Sequence, residues 1–159
     1  MKKIGFIVCL VFLAACFSKK HGGPELPVFN ILLPDSVTVL NTSKIPTGNP
    51  IVLVYFSPDC EHCQAETEWI LHHMDSLKKV NFYFVTNDPL DRLQIFYKAY
   101  GMDRHPNIVV GRDYEFAFIR LFKGISPPYT ILYDRDKHER RVFSGSGEID
   151  QLPGIVNKL

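Results

Sequence analysis

The chain has 159 residues, of which 46% are hydrophobic and 22% are charged, and its formal net charge is +1. This length and balance are typical of one globular domain with enough apolar residues for a solid core. The near-neutral charge excludes a strongly basic surface, so we expect no nucleic-acid partner.

The N-terminus predicts an export signal. A short positive start precedes an uncharged apolar run over 4–15, which is shorter than the roughly 20 residues that a spanning helix needs. The run ends in Leu-Ala-Ala-Cys, which resembles the lipobox of bacterial lipoproteins. That resemblance implies a signal peptide over 1–15, lipidation of Cys16 and a tether over 16–25. The alternative is an ordinary signal peptide that is cut elsewhere and leaves Cys16 idle.

Residues 26–159 alternate strands and helices, which predicts one α/β domain with a central mixed sheet flanked by helices. The continuous apolar run over 51–56 is typical of a strand buried on both faces. In chain order we expect a hairpin of two short strands within 26–39, a strand at 51–56, a helix along the apolar stripe from Cys63 to Leu77, a strand at 81–86, a helix from Pro89 to Tyr100, a helix at 113–123, strands at 129–133 and 139–143, and a helix at 148–159.

Two cysteines remain for chemistry in the predicted mature chain. Cys9 leaves with the signal and Cys16 carries lipid, so Cys60 and Cys63 stand alone in a compartment where disulfides persist. Their spacing places them one helical turn apart, close enough to form a disulfide. The sequence therefore predicts a redox-active Cys60–Cys63 pair that needs no other cofactor.

The two cysteines are predicted to have different roles. Cys60 lies where the strand ends and the helix begins, so its sulfur faces the positive end of the helix dipole, which favours thiolate. Cys63 lies on the apolar stripe and is expected to be covered. An exposed attacking sulfur beside a covered resolving sulfur is the arrangement that exchange through a mixed disulfide requires.

Two neighbouring side chains are candidates for tuning this pair. Glu66 lies three residues beyond Cys63 on nearly the same helix face, where a half-buried carboxylate could exchange the resolving thiol's proton. His62 lies between the cysteines, where a partly positive imidazole would stabilise the Cys60 thiolate. The alternatives are a solvated carboxylate and an exposed histidine without a role.

A buried strand ending in Cys-x-x-Cys, followed by a helix with a glutamate, resembles the thioredoxin superfamily. The chain is most similar to the extracytoplasmic, membrane-anchored TlpA-like branch of the AhpC/TSA-redoxin-like proteins, which has a glutamate at the position of Glu66. A later Pro-x-Thr-x-x-x-Asp pattern beginning at Pro128 strengthens the resemblance. It implies a thioredoxin-like fold over 26–159 with an N-terminal β-hairpin extension, and a thiol–disulfide oxidoreductase activity.

The resemblance also implies a cis peptide bond at Pro128, facing the cysteine pair and shaping the partner groove. Two departures from the family pattern matter. Asp59 stands where the family usually has tryptophan; its carboxylate opposes a nearby thiolate or, alternatively, caps the helix. Pro127 stands where the family offers a backbone N–H to a bound substrate, and proline has none. Pro127 is itself an alternative for the cis residue.

Three other functions are alternatives to the thiol–disulfide oxidoreductase prediction. A peroxiredoxin-like peroxide reductase is suggested by the Ser-Pro-Asp-Cys sequence that ends at Cys60, but Leu53 stands where such enzymes have proline. A copper-handling lipoprotein would use Cys60, His62 and Cys63, with His72 or His73; however, no second ligand pair follows, and we expect no metal. A binding lipoprotein would carry a fixed disulfide, but so short a loop contributes little stability.

The sequence therefore predicts a membrane-anchored thiol–disulfide oxidoreductase outside the cytoplasm of a bacterium, facing the periplasm. Its expected partners are extracytoplasmic thiol or disulfide proteins and a membrane or periplasmic electron donor or acceptor. We expect it to act as a monomer.

Overall fold

The computed structural model describes residues 22–144 and 147–159, so the signal peptide, Cys16 and most of the tether lie outside the described residues. Within that range seven strands form one sheet. The strands are β1 (Asn30–Leu32), β2 (Val39–Asn41), β3 (Ile51–Tyr55), β4 (Asn81–Thr86), β5 (Ile108–Arg112), β6 (Tyr129–Tyr133) and β7 (Glu139–Ser144). The helices are α1 (Glu61–His72), α2 (Met74–Leu77), α3 (Leu90–Ala99), α4 (Ala117–Leu121) and α5 (Leu152–Val156).

The spatial order of the strands is β2-β1-β5-β4-β3-β6-β7. Strands β3, β4 and β5 run parallel, whereas β6 runs antiparallel to β3 and the β1–β2 hairpin joins β5 antiparallel. The predicted α/β class, the mixed central sheet and the N-terminal hairpin are therefore confirmed. The central position of β3 explains why all five of its residues are buried.

The alternation of side chains along β3 divides the interior into two cores, one on each face of the sheet. Val52 and Val54 face a core completed by α1, α3 and α5. Ile51, Leu53 and Tyr55 face a second core completed by α4 and by the segment that precedes the hairpin. The chain therefore forms three layers, with helices on both sides of the sheet.

Strand β5 is absent from the sequence prediction. Its run of three β-branched residues, Ile108 to Val110, is interrupted by Gly111, a residue that weakens a strand interior. Pairing with β4 makes it a strand, since Phe82 to Thr86 align with Ile108 to Arg112 in parallel register. The prediction of a helix over 113–123 was too long, because only Ala117–Leu121 is helical.

Two other predicted helices are interrupted. The stripe from Cys63 to Leu77 was expected to be one helix, but it divides at His73 into α1 and α2. The expected helix over 148–159 is a short 3-10 turn followed by α5, which has only five residues. By contrast, α3 ends where expected, just before Gly101, which adopts the left-handed conformation (φ 58°) that glycine tolerates best.

Across residues 22–144 and 147–159, no helix combines the length and the apolar character needed to cross a membrane.

Candidate functional site

The segment between β3 and α1 places Cys60 at the tip of the helix. Phe56 anchors the segment, because its ring is buried against Phe84 and Phe96 and its N–H donates to the Val85 carbonyl at 3.0 Å. The chain then turns, and Cys60 takes the N-cap position with extended backbone angles (φ −84°, ψ 114°). This position places Cys60 at the positive end of α1, where the first N–H groups of the helix have no partner within the helix.

The two sulfurs occupy different environments, as the sequence predicts. Cys60 is half-buried, whereas Cys63 is only 1% exposed and packs in the first core. Burial raises the pKa of the Cys63 thiol, and a hydrogen bond with the Cys60 side chain raises it further. The pair is in the dithiol state. The structure therefore presents one partly accessible sulfur, Cys60, beside a buried thiol, Cys63.

The Pro127–Pro128 segment packs against Cys60. The peptide bond between these prolines is cis, which is the geometry that the family resemblance implies for Pro128. The Cys60 thiol lies 3.9 Å from the Pro127 carbonyl oxygen, within range of a weak sulfur hydrogen bond. Pro128 is buried and Pro127 is partly exposed. The role of this pair in partner docking stays a prediction.

Glu66 is a buried carboxylate with a specific partner. It is 6% exposed, and the Thr130 hydroxyl of β6 donates a hydrogen bond to its Oε1 at 2.5 Å. Burial raises the pKa of Glu66, and the Thr130 hydrogen bond partly opposes this by lowering it. The sequence placed Glu66 near Cys63 but left a solvated side chain open, and the structure excludes the solvated alternative.

Asp59 does not cap α1. Its carboxylate forms an exposed ion pair with Arg92 of α3, and the N-cap residue is Cys60, which makes no side-chain capping bond. A surface pair of this kind contributes about 0–1 kcal/mol to stability. Asp59 and Arg92 also line an open groove of about 420 Å³ between α1 and α3, with Ile95 and Tyr100 on its apolar side.

His62 is exposed on the opposite side of α1 from that groove. It lines a smaller cleft of about 260 Å³ together with Glu66, Ile149 and Asp150. The predicted effect of His62 on the Cys60 thiolate stays a prediction. The cleft gives the buried Glu66 a route toward solvent.

Sequence reasoning assigned no role to two residues of this site. Thr130 carried a signal, because it is the one polar residue with a short side chain in the apolar strand Tyr129–Tyr133. Arg92 carried none, because it lies 33 residues from Asp59 and only the packing of α3 beside α1 brings the two together.

Among the residues that the structure describes, no group of three or more histidine, cysteine, aspartate or glutamate side chains is placed to hold a metal ion.

Comparisons with known proteins support the fold. No protein-family model matches the sequence. No curated protein matches it either. Solved structures do match, at low identity. A secreted disulfide oxidoreductase of Mycobacterium tuberculosis, homologous to DsbE of E. coli, is 18% identical with a TM-score of 0.68, over 82% of this chain and 96% of that one.

Two further structures show the breadth of this fold. DsbF of M. tuberculosis is 21% identical with a TM-score of 0.68, over 82% of this chain and 93% of that one. A thiol peroxidase from Chromobacterium violaceum is 15% identical with a TM-score of 0.72, over 86% of both chains. The expected thioredoxin-like fold is therefore confirmed. Because both oxidoreductases and a peroxidase share it, the choice between them depends on the site.

Proposed function

We propose that the protein is a thiol–disulfide oxidoreductase that exchanges disulfides with extracytoplasmic protein partners through Cys60 and Cys63. One observation carries the proposal: a half-buried Cys60 at the helix tip contacts both a buried Cys63 thiol and the Pro127 carbonyl. An accessible sulfur with a resolving thiol in contact is what exchange requires. The resemblance to disulfide oxidoreductases in fold is consistent with this chemistry.

The reaction proceeds in two exchanges. The Cys60 thiolate attacks one sulfur of a partner disulfide, forming a mixed disulfide and releasing the other partner sulfur as a thiolate. Cys63 then loses its proton to Glu66 and attacks the Cys60 sulfur, and the second partner sulfur leaves with the bonding electron pair. The partner disulfide becomes a dithiol and the Cys60–Cys63 pair becomes a disulfide. Both steps are reversible, so the relative reduction potentials decide the direction.

The same proposal places the protein outside the cytoplasm, anchored to a bacterial membrane through lipid on Cys16. The lipobox-like sequence at Cys16 supports the anchor. The described chain begins at Gly22 beside the β6–β7 turn, where Gly23 N–H donates to the Glu139 carbonyl at 3.1 Å. That turn lies at the end of β6 opposite to Tyr129 and Pro128. An anchor attached there leaves the cysteine pair facing away from the membrane and open to soluble partners.

The test is to trap the mixed disulfide. Cys63→Ser removes the resolving sulfur, so we expect it to accumulate partner proteins bound through Cys60, visible as complexes on non-reducing gels that a reductant dissolves. Cys60→Ser is the matched control and should trap nothing, because the remaining sulfur is buried. If Cys63→Ser captures no partner under either oxidising or reducing conditions, disulfide exchange is not the function.

Two measurements separate the competing functions. Reduced protein that consumes hydrogen peroxide rapidly through Cys60 would favour a peroxide reductase, which shares the fold. A Cys60–Cys63 reduction potential below about −300 mV would favour a fixed structural disulfide.

A further inference from the structure

Thr130 is a buried polar residue beside the apolar residues Ile131 and Leu132 of β6. Its neighbours Ile131 and Leu132 are fully buried, and Thr130 itself is 0% exposed. A buried hydroxyl is costly without a hydrogen-bond partner, so its presence calls for an explanation in its contacts. Its register partner across the sheet is Val54, near the end of β3 that leads to Cys60.

The contact of Thr130 is with Glu66. The hydroxyl donates to Glu66 Oε1 at 2.5 Å, joining β6 to α1 across 64 residues of sequence. A hydroxyl has one proton to donate, so this bond engages one carboxylate oxygen and leaves the other for a second partner. Cys63 precedes Glu66 by three residues on α1, and the charge of Glu66 acts on the Cys63 thiol.

We propose that Thr130 is a positioning residue that holds the Glu66 carboxylate in place to accept the Cys63 proton during the second exchange. This inference rests on the proposed function and deepens it. In the step, the Cys63 S–H bond breaks and an O–H bond forms on the free oxygen of Glu66. The Cys63 sulfur attacks the Cys60 sulfur, and the partner sulfur leaves with the electron pair. The Thr130 hydroxyl donates its hydrogen bond to Glu66 and acts on the reaction through that carboxylate.

The hydrogen bond from Thr130 lowers the pKa of Glu66. A hydroxyl that donates to a carboxylate favours its charged form, so loss of this bond raises the pKa of Glu66 above its already elevated position. The other titratable groups facing Glu66 are Cys63 on its own helix and the cleft residues His62 and Asp150.

The experiment measures the second exchange alone, with a small disulfide probe. Ellman's reagent (5,5′-dithiobis-2-nitrobenzoate) reacts with Cys60, and attack by Cys63 then releases a second coloured thiolate whose rate is followed against pH. We expect Thr130→Val, which keeps the size and the β-branched shape of the side chain, to shift the rate profile to higher pH and to slow release several-fold at pH 6. Thr130→Ser retains the hydroxyl and should restore the profile.

Two further variants bracket the result. Glu66→Gln removes the acceptor and should slow release about 10²-fold and remove the pH-dependent limb that Glu66 provides. Thr86→Val is the matched control, because Thr86 is equally buried and its hydroxyl donates to a different carboxylate, that of Asp88. It should leave the profile unchanged. A Thr130→Val profile that coincides with the wild type, or a Thr130→Ser profile shifted as far as that of Thr130→Val, overturns the proposal.

A second measurement keeps the inference testable without turnover. The carboxyl ¹³C shift of Glu66, followed against pH in the reduced protein, reports its protonation directly. The midpoint of this titration should move to higher pH in Thr130→Val, or in Thr130→Ala if the valine variant does not fold. A midpoint equal to that of the wild type overturns the proposal. Because neither readout uses a protein partner, failure to trap partners counts against the proposed function and leaves this result standing.

Discussion

At the scale of single residues, Glu66 shows a conflict between function and stability. Its carboxyl group lies in the protein interior, 6% exposed, with the Thr130 hydroxyl as its hydrogen-bond donor. Burial penalises the charged form, which raises the pKa of Glu66. The folded state therefore binds a proton on Glu66 more tightly than the unfolded chain does. Glu66 therefore contributes least to the stability of the folded state at pH values where its carboxyl group is charged.

We predict that Glu66→Gln stabilises the reduced protein at high pH. Because the folded pKa of Glu66 lies above the unfolded value, near 4.3, the wild type loses stability as pH rises from that value through the folded pKa. The uncharged variant does not. The unfolding free energy of Glu66→Gln should exceed that of the wild type at high pH by about 1.4 kcal/mol for each unit by which the folded pKa of Glu66 is raised.

Urea unfolding of both proteins at pH 4 and pH 8 measures this effect. The difference in unfolding free energy should be small at pH 4 and larger at pH 8. An equal difference at the two pH values would show that ionisation of Glu66 does not destabilise the folded protein.

At the scale of elements, the N-terminal hairpin joins the sheet through an unusually close contact. Strand β1 pairs with β5, and an added Cβ on Gly111 would lie 3.0 Å from the Ile31 Cβ and 3.1 Å from its Cδ1. Ile31 is fully buried in the second core. Gly111 therefore lets the hairpin lie against the edge of the parallel strands, where a larger residue would separate them.

We predict that Gly111→Ala destabilises the protein by about 1–3 kcal/mol, the usual cost of overpacking a core. Gly154→Ala is the matched control, because Gly154 lies within α5 and nothing lies within 4 Å of an added Cβ. That change should instead stabilise the protein by about 0.5–1 kcal/mol, since alanine favours helix. Denaturant unfolding should show changes in unfolding free energy of opposite sign for the two variants. A Gly111→Ala variant as stable as the wild type would contradict the close approach of Ile31.

At the scale of the whole molecule, the cysteine pair and the start of the described chain lie at opposite ends of the sheet. Cys60 is at the end of β3 where Tyr55 pairs with Tyr129. The segment from Gly22 bonds to the β6–β7 turn at the other end, with Glu139 N–H donating to the Pro24 carbonyl at 2.9 Å. The cysteine pair and the point where the described chain begins are therefore separated by the length of the strands.

We predict that Cys16→Ser moves the protein from the membrane fraction to the soluble fraction without changing the reactivity of Cys60. Loss of the lipid removes the anchor, because acyl chains supply about 0.8 kcal/mol per buried CH₂ group. The cysteine pair is distant from Gly22, where the described chain begins, so the rate of Cys60 alkylation by iodoacetamide should match the wild type. Retention of the variant on membranes would contradict lipidation of Cys16, and an altered alkylation rate would contradict the separation.

Much of the fold and of the site follows from local sequence pattern. The apolar run at 51–56 determined the central strand, and the helix that follows it determined that Cys60 lies at a helix tip with Cys63 beneath it. These features depend on neighbours in the chain, through strand burial, helical spacing and the dipole. The cis bond at Pro128 came from family resemblance and not from such patterns.

Tertiary structure alone decided the rest, because it depends on residues distant in sequence. β5 becomes a strand by pairing with β4, and the short α4 follows where a longer helix was expected. Packing of α3 beside α1 joins Arg92 to Asp59, and the register of β6 brings Thr130 to Glu66. A single sequence encodes its helical and strand periods locally, whereas the partner of a buried polar group is chosen only when the whole sheet assembles.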